Sequence, residues 1–152
     1  TGGELALYFL DSSALVKLYV QEPGTDRLLL LVGRQPENRF AVLALSVVEV
    51  RSAIRRRQRA GDIDASVATA ILENMQKHME ARFIRQVIND TVIDTALEMI
   101  DRYALRAYDA LQLAGCLVLS AIGGDAFTFV CSDSRLVEAA QSEQLKVLDP
   151  AA

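Results

Sequence analysis

Asp11 ends an apolar run, Leu5 to Leu10, in the stretch ALYFLDSSALVKLY. Three further acids stand in comparable places: Glu49 in LALSVVEVRSAIRRR, Asp109 in LRAYDALQLAGCLVLSAIGG and Asp133 in FTFVCSDSRLVEAA. Each has a structural explanation. Asp11 and Asp133 suit the N-cap of a helix, although Ser132 or Ser134 could cap in place of Asp133. Ser46 and Glu49 have the spacing of a capping box. Asp109 enters a helix apolar nearly all round, hence buried. A buried carboxylate must be paired, protonated or beside a cation, and Arg102 and Arg106 are candidate partners. There is also a chemical explanation for the set. If four acids converge, their repulsion calls for a cation, and oxygen ligands suit Mg²⁺ or Mn²⁺. One or two such ions can activate a water and stabilise a departing oxygen, the chemistry of phosphodiester hydrolysis.

The other side chains narrow the choice. His78 is the only histidine, and the two cysteines, Cys116 and Cys131, lie in apolar surroundings. A zinc site of the usual kind needs a Cys/His cluster, so any metal here is held by oxygen. The cysteines read as buried free thiols of a reducing compartment. The net charge of −4 provides no strong basic field for nucleic acid, although a local patch can still serve one. Arg51, Arg55, Arg56, Arg57 and Arg59 cluster on one helix as a solvated face or a phosphate contact. Only Arg56 shares the stripe of Glu49, roughly 10 Å along the axis. Lys17 and Arg135 lie nearer the acids in sequence. These three are the candidate phosphate-binding residues.

The elements that must position these groups follow from periodicity. At 152 residues the chain reads as a single domain over 1–152, with Thr1-Gly-Gly set aside as a candidate expression remnant. Strand candidates are Leu5–Leu10, Phe40–Leu45, Phe83–Ile88, Thr128–Cys131 and Lys146–Leu148. Between them, Ile63, Val67, Ile71, Met75 and Met79 recur at helical spacing, as do Val92, Ala96 and Ile100 with Ile93 and Leu97 beside them. Gly61-Asp62 and Gly123-Gly124 mark helix ends. The alternation predicts an α/β chain, three-layer α/β/α, with a parallel sheet covered on both faces. Such sheets hold ligands beyond the carboxyl ends of their strands, where Asp11, Glu49 and Asp133 stand. No signal peptide is visible, and the uncharged run Ala110 to Gly124 is too short to span a bilayer. A soluble, cytoplasmic protein without a membrane partner is expected.

Taken in order, four segments resemble the motifs of the PIN domain, the nuclease fold of VapC-type toxins in prokaryotic toxin–antitoxin pairs. They are YFLDSSALVKLY, LSVVEVRSAI, LRAYDALQLA and FVCSDSRLVEAAQSEQLKVLDP, and the similarity runs from about Leu5 to Pro150. The resemblance implies a five-stranded parallel sheet, Mg²⁺ or Mn²⁺ dependence, RNA cleavage, frequent homodimers and an antitoxin partner. It places the family's metal-binding acids on Asp11, Glu49, Asp109 and Asp133. The fourth position is the family's most variable, and Asp125 competes for it. Ser12 and Ser132 fall where the family often has a hydroxyl near the site. Two rivals stand beside this reading. One is a non-catalytic module of the same fold that only binds a partner. The other is a phosphatase or phosphotransferase with Asp11 as nucleophile, although Ser13 stands where that class commonly has a second acid.

Overall fold

The computed structural model describes residues 6–34 and 37–152; Thr1–Gly3 and the first residue of the expected strand at Leu5 lie outside the described residues. Five apolar runs form strands: β1 Ala6–Leu10, β2 Asn38–Leu43, β3 Phe83–Gln86, β4 Thr128–Val130 and β5 Val147–Leu148. They make one sheet in the order β3-β2-β1-β4-β5, every pairing parallel. Parallel strands need crossovers, and helices supply them. These are α1 Ser12–Val16, α2 Thr25–Val32, α3 Leu45–Arg59, α4 Ala65–Ala81, α5 Asp90–Arg102, α6 Ala107–Gly123 and α7 Ser134–Ser142.

Side chains alternate across the strands, so each strand feeds two cores. Phe9, Ala41, Leu43 and Phe129 pack with α5, α6 and α7, while Leu10, Phe40, Val42 and Val130 pack with α1 to α4. This is the three-layer α/β/α arrangement. Gly115 lets α6 lie close on the sheet: a Cβ there would stand 2.8 Å from Leu43 Cδ1 and 3.1 Å from Phe9 Cζ. No helix among the described residues is long and apolar enough to cross a membrane.

Several strand bounds differ by a residue or two from those expected. The second strand, expected at Phe40–Leu45, runs over Asn38–Leu43, because the Asn38 amide holds Leu31 O at 3.1 Å and starts the pairing early. Helix α3 then begins at Leu45 with Ala44 as its N-cap and no side-chain cap bond. The capping box of Ser46 and Glu49 therefore does not form; Ser46 already lies inside the helix. On α4 the buried face is Ala68, Leu72, Met75 and Met79, whereas Val67 is exposed. Steps of four residues drift round a 3.6-residue helix, so a stripe read in fours leaves the core unless it alternates with threes. On α5, Val92, Ala96 and Met99 face inward, and Ile93, Leu97 and Ile100 face outward.

The connection from α1 to α2 is pinned against the end of the chain. Gly24 has φ +97°, and a Cβ there would meet the Pro150 carbonyl carbon and oxygen at 2.8 Å. Arg27 on α2 donates to Asp149 O at 3.1 Å. Gly24→Ala meets a backbone clash and an unfavourable φ together, so a loss of at least about 2 kcal/mol in urea unfolding is expected. An unchanged midpoint would show that the two segments separate without cost.

Candidate active site

Asp11 follows β1 directly and is only 5% exposed. Its Oδ1 accepts from Ala14 N and from Ser13 Oγ, both at 2.8 Å, and so caps α1. Burial pushes this carboxyl up to about 6, opposed by those two hydrogen bonds and assisted by the charges of Asp109 and Glu49. Asp133 follows β4, is exposed, and caps α7: its Oδ1 accepts from Arg135 N at 3.0 Å and Leu136 N at 3.1 Å. Glu49 lies on the first turns of α3. Its Oε1 accepts from Ser12 Oγ at 2.7 Å and Gln112 Nε2 at 3.2 Å. Asp109, in the first turn of α6, accepts no hydrogen bond among the described residues. Burial raises its pKa, as do the charges of Asp133 and Glu49, while Arg106 lowers it.

These couplings join all four acids. Asp11 feels Asp109 and Glu49, and Asp109 feels Asp133 and Glu49. In Asp11, Asp133 and Glu49 one carboxylate oxygen serves the fold, and the second accepts nothing among the described residues. A cap and a ligand are thus compatible in the same side chain. No three of the described acids, cysteines or histidine close around one point tightly enough to form a ready cage. Mg²⁺ does not require a cage: it keeps several waters and is commonly bound through one or two carboxylates. The donor set, oxygen ligands whose repulsion Arg106 only partly relieves, has the chemistry that such an ion takes.

Ser12 Oγ lies 3.0 Å from Ser46 Oγ and donates to Glu49. Ser132 Oγ donates to Asp149 Oδ1 at 2.7 Å and makes no bond with Asp133. Lys17 is buried and ion-paired with Glu22 at 3.3 Å, and Glu22 also holds Arg57 at 2.6 Å. Arg56 lines a cavity of about 570 Å³ together with Ser12 and Glu49. Arg135 and Arg106 line a smaller one of about 180 Å³ with Asp109 and Asp133. Asp125 precedes β4, whereas Asp133 follows it. In a parallel sheet that puts Asp125 at the opposite edge from Asp11. Cys116 and Cys131 are free and buried, and burial raises both thiols. His78 Nδ1 lies 2.9 Å from the Tyr19 hydroxyl.

Two residues of this region escaped sequence reasoning. Asp149 follows β5, and its charge acts on Cys131 together with those of Asp11, Asp133 and Asp109. The rule that singled out Asp11 and Asp133 would have found it. Gln112, three residues after Asp109 on α6, is 2% exposed. Its Nε2 donates to Ser12 Oγ at 2.8 Å and Ser46 Oγ at 2.9 Å besides Glu49, and its Oε1 is buried without a partner among the described residues. A glutamine in an apolar helix next to an acid was the available signal. Gln112→Leu removes the donor shared by buried Ser46 Oγ and the half-buried Ser12 Oγ and Glu49 Oε1, and is expected to cost about 1–3 kcal/mol, read by urea unfolding. A smaller effect would mean that Ser12 alone holds Glu49.

A family model described as PIN domain matches residues 8–142. No curated protein matches the chain in sequence. Among solved structures, FitAcB from Neisseria gonorrhoeae aligns with a TM-score of 0.64 at 15% identity, covering 94% of this chain and 97% of that one. VapBC-1 from nontypeable Haemophilus influenzae gives 0.63 at 12% identity, with coverages of 96% and 99%. A toxin–antitoxin complex from Klebsiella pneumoniae gives 0.60 at 13% identity, with coverages of 94% and 97%. At these identities the likeness is one of fold.

Proposed function

Because the chain belongs to the PIN domain family, we propose that it is a Mg²⁺- or Mn²⁺-dependent endoribonuclease, the toxin of a type II toxin–antitoxin pair. The observation that carries this reading is the set of four carboxylates gathered around Asp109, three of them with one oxygen fixed by the fold and the other without a partner among the described residues. Its RNA substrate, its antitoxin partner and a homodimeric state belong to the same reading. The toxin–antitoxin complex from Klebsiella pneumoniae, which shares the fold, supports the partner.

Asp11, Glu49, Asp109 and Asp133 would hold one or two ions, directly or through water. Such an ion supplies Lewis-acid stabilisation of the phosphate and lowers the pKa of a water. The chain's own residues do the positioning. The caps at Asp11 and Asp133 lock the direction of those carboxylates, and Ser12 with Gln112 locks Glu49. Arg106 and Arg135, beside Asp109 and Asp133, offer guanidinium groups to the phosphate oxygens. Lys17, engaged by Glu22, would act from farther back.

The test is cleavage of single-stranded RNA by the purified protein with Mn²⁺, Mg²⁺ or EDTA. Cleavage with either ion and none with EDTA is expected; no cleavage under any condition sinks the reading. The intact caps favour one alternative, a non-catalytic module of this fold whose acids serve only as caps. It predicts no calorimetric heat of Mn²⁺ binding.

A further inference from the structure

The larger cavity extends well beyond the acids. Along α3 it is lined by Leu45 and Val48 before Glu49 and by Arg56 two turns after it, with Ser12 from α1 and Tyr108 from α6 completing the walls. Val48 and Tyr108 are 65% and 61% exposed, two large apolar groups on different helices turned to one opening. Solvated apolar groups beside a charged centre invite a flat apolar ligand. Glu22 also lines the cavity, but Lys17 and Arg57 neutralise it. Arg56 makes no ion pair among the described residues. Seven residues along α3 carry it about 10 Å from Glu49, too far for the phosphate held at the acids and suited to the next one. The volume of about 570 Å³ falls within the range of about 300–1,000 Å³ typical of small-ligand clefts.

We propose that this cavity is a nucleotide subsite spanning the cleaved bond, with an unpaired base stacked on Tyr108 against Val48 on one side of Glu49 and the next phosphate on Arg56 on the other. The subsite rests on the reading of the acids as a phosphodiester centre. It restricts the substrate to single strands, since a base can offer its face to Tyr108 only outside a duplex. A protein segment could fill the apolar walls, but continuity with the acids and the free cation two turns beyond Glu49 favour a nucleotide.

The experiment is fluorescence anisotropy with a labelled, cleavage-resistant 2′-O-methyl RNA strand, its abasic counterpart and its duplex, on the full chain with Mg²⁺. Tyr108→Ala should weaken binding of the intact strand by about tenfold or more, Tyr108→Phe should restore it, and neither should change binding of the abasic strand. Arg56→Ala should weaken both strands, and the duplex should bind poorly. Equal binding of intact and abasic strands by the wild type overturns the subsite, as does an unchanged affinity in Tyr108→Ala. Unchanged RNA affinity with lost affinity for the antitoxin would assign the cavity to a protein and also overturn it. Wild-type cleavage assays judge the nuclease separately: Tyr108-dependent binding without cleavage sinks the nuclease and leaves the subsite standing.

Discussion

Asp109→Asn is expected to reduce Mn²⁺-dependent RNA cleavage at least about a hundredfold, the scale on which losing one well-placed electrostatic group acts, while the protein stays folded. The substitution is isosteric. Asp109 accepts no protein hydrogen bond among the described residues, so no donor is orphaned. Its pKa is raised by burial and by Asp133 and Glu49, and Arg106 only partly opposes them. Removing the charge therefore relieves repulsion, against a lost charge–dipole term of about 0.3–1 kcal/mol at the start of α6. Stability should change little. Gel assays on labelled RNA with parallel thermal denaturation check both halves. Full cleavage by a folded variant would remove Asp109 from the site, and a collapsed fold would make its role structural.

Asp11→Asn should do the opposite of what a buried cap suggests: it should stabilise the metal-free protein. Folded Asp11 holds its proton up to about pH 6, against 3.8 for the ordinary group. Between those values the folded state keeps a proton that the unfolded chain has released, so stability falls as pH rises through the window. Above about pH 6 the deficit is complete, about 3 kcal/mol. Asparagine keeps an oxygen for Ala14 N and Ser13 Oγ and carries no charge. At pH 7 the variant should gain up to about 3 kcal/mol, less the cost of burying the unpartnered Nδ2, and lose the share of the dependence between about pH 4 and 6 that Asp11 supplies, while Asp109 keeps its own. The wild type should recover stability on Mn²⁺ addition, since a ligand of the folded state alone stabilises it; the variant should not. Denaturation scans against pH, with and without Mn²⁺, read all of this. A lower Tm for the metal-free variant would show that the charge of Asp11 is already satisfied within the protein.

The sheet was legible because buried parallel strands are short apolar runs between helical patterns, and β1, β3, β4 and β5 fall within a few residues of those runs. The choice between cap and ligand at Asp11 and Asp133 was undecidable from sequence, because a carboxylate has two oxygens and the cap occupies only one. At Glu49 the local pattern misled: Ser46 has the spacing of a cap, yet the helix starts earlier and Glu49 is held by α1 and α6. That contact joins residues far apart along the chain, which no local pattern encodes. Gln112 was hidden for the same reason. Asp149 was hidden only by its place near the end, after a strand of two residues.

The central strand β1 is the first to be made, but its flank against β4 is completed only near the end of the chain. Synthesis thus exposes Asp11 and Glu49 long before Asp109 and Asp133 leave the ribosome, and domains of this kind fold as units. On the nuclease reading, a half-made chain has half a site. The message being translated is then out of danger from its own product until the last strands are in place. On that reading, the order of the acids along the chain holds back cleavage until β4 and α7 have joined the sheet.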